Sequence, residues 1–198
     1  MDKPSVELVE FNRIITLTNT YRINAVAGVS AADMGRTFRE GWTGGGPASS
    51  VIGTLEAVAK QRTAEPNGAE PAYFAYVPNE VDEETDPETA EGHEYYRTPR
   101  AQHPNSVNKF LFTSVDKIMA FTAIDDKIST FLNQPLLLVA GSKAGTRWQS
   151  EEIHKFGNEP KELVILEGGS RLINICPVNI LILSRNSFLR LSSKHQSD

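Results

Sequence analysis

Two short apolar runs constrain this chain more than any other feature. They are Pro135-Leu-Leu-Leu-Val-Ala-Gly-Ser142 and Lys161-Glu-Leu-Val-Ile-Leu-Glu-Gly-Gly169, and a helix candidate at residues 148–156 lies between them. Neither run alternates apolar with polar residues, so neither suits a sheet with one wet face. Continuous apolar runs of this length suit strands buried on both faces, and a helix between two such strands is the crossover that parallel pairing requires. The pattern predicts an α/β chain with a mostly parallel, doubly wound sheet. The link Gly141-Ser-Lys-Ala-Gly-Thr146 has some look of a phosphate-binding turn. It lacks the Gly-Lys-Ser/Thr ending that a phosphate loop needs, so it reads as a strand-to-helix turn.

Upstream, residues 23–29 (Ile-Asn-Ala-Val-Ala-Gly-Val) form a third strand candidate made of small residues. A helix over residues 30–41 would start on Ser30 as its N-cap, with Asp33 three residues on. Gly44-Gly-Gly-Pro47 breaks the chain. Residues 48–62 form a stronger helix candidate, with Val51, Leu55, Val58 and Ala59 on one predicted apolar face. Residues 63–71 are loop by composition, and residues 73–77 are a short extended segment. Residues 113–121 and 127–132 read as short helices. The chain is expected to be a single incomplete domain over residues 1–198, with a helical cap at about residues 31–132. A divergent tail follows at residues 172–198, apolar and β-branched at first, then Ser-rich and basic.

Composition removes several classes of function. A length of 198 residues supports one domain with a sizeable core. A net charge of −5 lacks the basic excess that a nucleic-acid partner would need. The single cysteine, Cys176, excludes an intramolecular disulfide framework and fits a reducing, cytoplasmic compartment. One cysteine and four scattered histidines give no metal-ligand spacing, and no cofactor motif is present. No apolar run is long enough to span a bilayer. The N-terminus has no signal-peptide pattern, and Gln196-Ser-Asp198 is not a peroxisomal address.

The chemistry-bearing candidates each have a structural alternative. Gly28-Val-Ser-Ala-Ala32 resembles a nucleophile elbow, in which small flanking residues let a sharp turn expose the serine. Ser30 as a nucleophile would need a histidine base oriented by an acid. His93, His103 and His154 are the candidates, and none follows a final strand. A serine in this place equally serves as a helix cap. Residues 79–94 hold eight carboxylates, either a cation or basic-partner site or a solvated loop and helix face. Calcium-loop spacing is absent there. Tyr95-Tyr-Arg-Thr-Pro-Arg-Ala-Gln-His-Pro-Asn-Ser106 mixes arginine, proline and aromatic residues. Such a segment either forms a surface loop or lines a pocket in which Arg97 or Arg100 meets an acyl carboxylate or a phosphate.

Taken together, these segments resemble a group of α/β hydrolases related to dienelactone hydrolase and to fungal polyketide transferases. The resemblance runs through residues 21–35, 55–62, 95–100, 103–106, 112–121, 135–144 and 163–168. It implies a partial α/β-hydrolase fold, the C-terminal half of a mostly parallel sheet with a helical cap insertion. It implies acyl transfer through an activated Ser or Cys, with esterase, thioesterase or acyltransferase outcomes, and a place in polyketide or toxin biosynthesis. The group's nucleophile elbow falls near Glu7, in a segment without Gly-x-Ser/Cys-x-Gly character. Its acid column falls on Gly145 and its histidine column on Arg171. On this resemblance no catalytic, cofactor-binding or metal-binding residue is retained. These departures are what a truncated, frame-shifted or mis-spliced member would show. The functions expected are therefore a hydrolase-group protein without its own triad, a non-catalytic binder of an acyl or polyketide ligand or of a full-length paralogue, or a hydrolase built on Ser30. A sheet lacking its first strands would leave an open edge, which favours partner binding or aggregation.

Overall fold

The computed structural model describes residues 6–8, 25–121 and 127–170. Four parallel strands form the main sheet, β1 (Val6–Leu8), β2 (Ala25–Val29), β5 (Leu136–Gly141) and β6 (Lys161–Leu166), in the order β1-β2-β5-β6. Between β2 and β5 the chain builds α1 (Met34–Glu40), α2 (Ala48–Ala64), β3 (Tyr73–Phe74) and α3 (Pro87–Arg97). It then adds β4 (Phe110–Leu111), α4 (Val115–Ala120) and α5 (Lys127–Phe131). Strands β3 and β4 pair antiparallel as a separate two-stranded sheet. Helix α6 (Arg147–Phe156) crosses from β5 to β6. The architecture is the α/β class that the apolar runs predict.

Strand β5 shows why its run is continuous. All six residues are buried, and successive side chains point to opposite faces. Leu136 and Leu138 pack with Val26, Ile128, Leu132 and Ile153, which brings α5 and α6 onto one face. Leu137 and Val139 join Ala25 and Ala27 on the other, with Val164 and Leu166 packed against them. The registers Val26↔Leu136 and Leu138↔Leu163 align the apolar positions of the three strands. Full burial of one such leucine is worth about 1.5–3 kcal/mol, so β5 anchors the domain.

Several local expectations change. Helix α1 begins at Met34, and its N-cap is Asp33, whose carboxylate accepts the Arg36 N–H at 3.0 Å. Ser30 is not the cap; it sits at φ 49° directly after β2, and three further residues separate it from the helix. On α2, Val58 is buried and Val51 packs partly against the cluster of Val58, Val115 and Met119, whereas Leu55 and Ala59 face solvent. The inward face is thus narrower than the spacing implies, because α2 lies on that small cluster and not on the sheet. The segment expected to be loop from residue 63 continues α2 to Ala64 and adds a 3-10 turn at Glu65–Asn67. Among the described residues, no helix is long and apolar enough to cross a membrane.

Arg36 ties α1 to α6. Its guanidinium grips Glu40 through Nε at 2.9 Å and Nη2 at 2.8 Å, pairs with Glu152, and lies 4.5 Å from the Trp148 ring centroid. The hydrogen bonds from Arg36 hold the Glu40 carboxyl below its ordinary range. A depressed carboxyl stabilises the fold above its unfolded pKa of about 4.3, and that contribution is lost as pH falls through the folded value. Arg36→Gln is expected to lower stability by about 1–2 kcal/mol at pH 7. The gap to wild type should close below about pH 4, where urea denaturation of both proteins would converge. A gap that is independent of pH would show that Arg36 acts through packing on Trp148 alone.

Candidate functional site

In open parallel sheets, ligands and chemistry gather at the carboxyl ends of the strands. Three strand ends meet there in this chain. Strand β2 ends at Val29, and the N–H of the next residue, Ser30, donates to Val139 O at 2.8 Å. This bond extends the ladder by one residue before the backbone turns into the left-handed region. A side chain held there is strained by about 1–2 kcal/mol. The strained backbone adds to the small flanking residues Gly28 and Ala32 as a feature that Ser30 shares with a nucleophile elbow. Helix α1 does not start directly after it.

The histidines do not complete a triad around Ser30. His93 Nδ1 lies 2.8 Å from Pro78 O. His103 is exposed, and its Nδ1 accepts the Asn105 N–H at 3.2 Å. His154 lies on α6, half-buried rather than fully on the surface. Among the described residues, no histidine ring hydrogen-bonds a serine side chain or a carboxylate. Arg171, the histidine column of the resemblance, and Cys176 lie outside the described residues, as does the tail at residues 172–198. The side chain of Glu7 is likewise not described.

The ends of β5 and β6 are stitched together. Ser142 N–H donates to Leu166 O at 2.9 Å and Lys143 N–H to Gly169 O at 2.7 Å. Ser142 Oγ accepts the Gly168 N–H at 2.9 Å and contacts Glu167 Oε1 at 3.3 Å. The turn after β5 is a strand-to-helix turn, as its sequence implies.

Helix α3 brings carboxylates to this edge. Asp86 caps it by accepting the Thr89 N–H at 3.0 Å, and Pro87 occupies its first turn. Glu88 and Glu91 are three residues apart and share a face. Glu88 Oε1 accepts the Gly145 N–H at 2.5 Å, and Ser170 Oγ donates to Glu91 Oε1. A Cβ built on Gly145 would meet Glu88 Oε1 at 2.9 Å and its Cδ at 3.0 Å. The Glu88 carboxyl thus fills the space where a side chain of residue 145 would project. The acid-rich segment is solvated at residues 79–84, but Glu88 and Glu91 dock on the sheet edge. Asp86-Pro-Glu is a local signal for a helix start that the acid-rich composition masks; the contact of Glu88 with a residue 57 positions away has no local signal. Among the described residues, no group of three or more His, Cys, Asp or Glu side chains is placed to hold a metal ion.

A second feature lies at the other end of α3. Residues of the 95–106 segment and of β4 line a cavity of about 230 Å³ with Tyr76, Tyr96, Arg97, Lys109 and Phe110 in its walls. Of the two arginines singled out from the sequence, Arg97 is in the wall. Arg100 instead pairs with Glu94 and stacks 5.2 Å from the Tyr95 ring centroid. His103 is not in the lining.

The order of the parallel strands, the crossover helix and the insertion before β5 make a partial α/β fold similar to that of the α/β hydrolases. No family model matches it. The chain is 30% identical over 152 residues to the uncharacterized protein YcjY of Escherichia coli K12, an alignment covering 76% of this chain and 49% of YcjY. It is also 30% identical over 155 residues to the uncharacterized protein PA2218 of Pseudomonas aeruginosa, covering 76% of this chain and 41% of that protein. The crystal structure of PA2218 superposes with a TM-score of 0.81 at 25% identity, covering 95% of this chain and 60% of that one. The α/β hydrolase GrgF from Penicillium sp. sh18 superposes with a TM-score of 0.66 at 18% identity, covering 98% and 64%. The chain spans about half the length of the curated relatives it matches.

Proposed function

We propose that this chain is an acyl-handling member of the α/β-hydrolase superfamily, of the esterase, thioesterase or acyltransferase type, that does not run a triad of its own. The resemblance of its sequence segments to the group of dienelactone hydrolase and fungal polyketide transferases supports a polyketide acyl chain as the substrate class. One observation carries the reading: at the acid column of that group the chain has Gly145, and Glu88 from the insertion occupies the vacant space with its carboxylate on the Gly145 N–H. An acid in a triad must orient a histidine, and Glu88 instead locks a backbone amide. Ser30 has the strained backbone of a nucleophile, but no described histidine reaches it to take its proton.

The test is reaction of the purified chain with a fluorophosphonate probe, which labels activated serines, together with hydrolysis of p-nitrophenyl butyrate and of an acyl thioester. The expected result is no labelling above that of heat-denatured protein and no turnover above buffer, with saturable binding of a fluorescent acyl carboxylate. Labelling and turnover that both vanish in Ser30→Ala would sink the reading and make Ser30 the nucleophile.

A further inference from the structure

We propose that the cavity at the carboxyl end of α3 is a binding site for a small carboxylate on a flat, apolar body, such as an aryl carboxylate. The strongest observation is Arg97. Its Nε is buried and has no hydrogen-bond partner, and its Nη2 makes only a long 3.4 Å contact to Asn79 Oδ1. The arginines Arg36, Arg62, Arg100 and Arg147 each pair with a carboxylate. Arg97 pairs with none among the described residues. The last turn of a helix accounts for a cation at this position, but not for a buried N–H left unmet.

The rest of the cavity completes the chemistry. Lys109 lies in the same lining and meets no carboxylate among the described residues; its ammonium sits 4.6 Å from the Tyr73 ring centroid. Among the described residues, no Asp or Glu lines the cavity, although the chain as a whole carries a net charge of −5. The wall is aromatic. Tyr76 stands edge-on between Tyr96, at 5.6 Å between centroids, and Phe110, at 5.5 Å. Two parallel N–H groups of a guanidinium suit the two oxygens of a carboxylate, and ring edges suit a flat π-face. At about 230 Å³ the cavity is below the usual range for drug-sized ligands, which limits the occupant to about one ring with its carboxylate. The site is independent of Glu88 and Gly145, so it stands or falls apart from the acyl-handling reading.

Isothermal titration of the full chain with benzoate is the experiment. Benzoate is expected to bind saturably, with affinity falling at least about tenfold in Arg97→Gln and about threefold in Lys109→Gln. Benzamide, with the same shape and no charge, is expected not to bind, and inorganic phosphate is expected not to displace benzoate. Circular dichroism checks that each variant folds; Lys109 is exposed, so its variant keeps the test informative if Arg97→Gln does not fold. Absence of saturation, unchanged affinity in the folded variants, or equal binding of benzamide would overturn the proposal. Displacement by phosphate would replace the aryl carboxylate with a bare-anion site.

Discussion

Gly141→Ala is expected to remove the folded state of this chain. Gly141 closes β5 and is buried. A Cβ there would lie 2.2 Å from Gly169 O, 2.5 Å from Gly169 C and 2.8 Å from Ser170 O. These are backbone atoms, so no side-chain rotation relieves the clash. The loops after β5 and β6 would have to part, breaking Lys143 N–H to Gly169 O and Ser142 N–H to Leu166 O. The expected loss exceeds about 4 kcal/mol, which is comparable to the whole stability of a domain at the low end of the usual range of roughly 5–15 kcal/mol. Gly53→Ala is the control with the opposite sign. Gly53 lies within α2 with open space where its Cβ would stand, and alanine there should gain about 0.5–1 kcal/mol. Thermal melts of the two variants against wild type decide the matter. A Gly141→Ala protein melting within a degree of wild type would show that the two loops are not held in contact.

Gln149→Leu is expected to cost about 2–4 kcal/mol, although leucine has nearly the same volume. Gln149 is fully buried on α6. Its Oε1 accepts the Asp33 N–H at 2.5 Å and its Nε2 donates to Thr37 Oγ1 at 3.1 Å. Leucine would leave the Asp33 N–H buried without that acceptor, and an orphaned buried donor costs more than the hydrogen bond returned. The same amide fixes where the chain goes after Ser30, because Asp33 is the cap of α1. Urea denaturation should show a lower midpoint with an unchanged slope. A loss under about 0.5 kcal/mol would mean that water replaces the amide and that α1 is positioned by Arg36 and its own cap instead.

The closing strand–helix–strand unit was legible because everything that shapes it is local. The run of leucines, the length of the crossover and the glycine turn all act within a few residues. The start of α3 carries a local signal of the same kind in Asp86 and Pro87, but acid-rich composition by itself reads only as a solvated loop and helix face. Ser30 was not legible. A serine between a strand and a helix satisfies the sequence pattern of a cap and of an elbow alike, and only Gln149, more than a hundred residues downstream, explains why the cap is Asp33. The face of α2 was misjudged at Leu55 and Ala59 because helical spacing says which residues share a side, but not how wide a surface that side meets. In the segment from Tyr95 to Ser106, the mixture of cations and aromatic rings marked a pocket. Which arginine faces it was decided by Glu94, which engages Arg100 and leaves Arg97 to the cavity.

The sequence by itself determined the α/β class, the parallel pairing of its buried strands and the absence of a side chain at Gly145. Each follows from short-range pattern, residue identity and the physics of burying a backbone. Only the tertiary structure decided what stands in that vacant space and which arginine lines the cavity. Glu88 reaches Gly145, and Arg97 reaches the cavity, from opposite ends of one helix whose docking depends on contacts far apart in the chain. A side chain's partner across such a distance is set by how whole elements pack, and no local pattern encodes it.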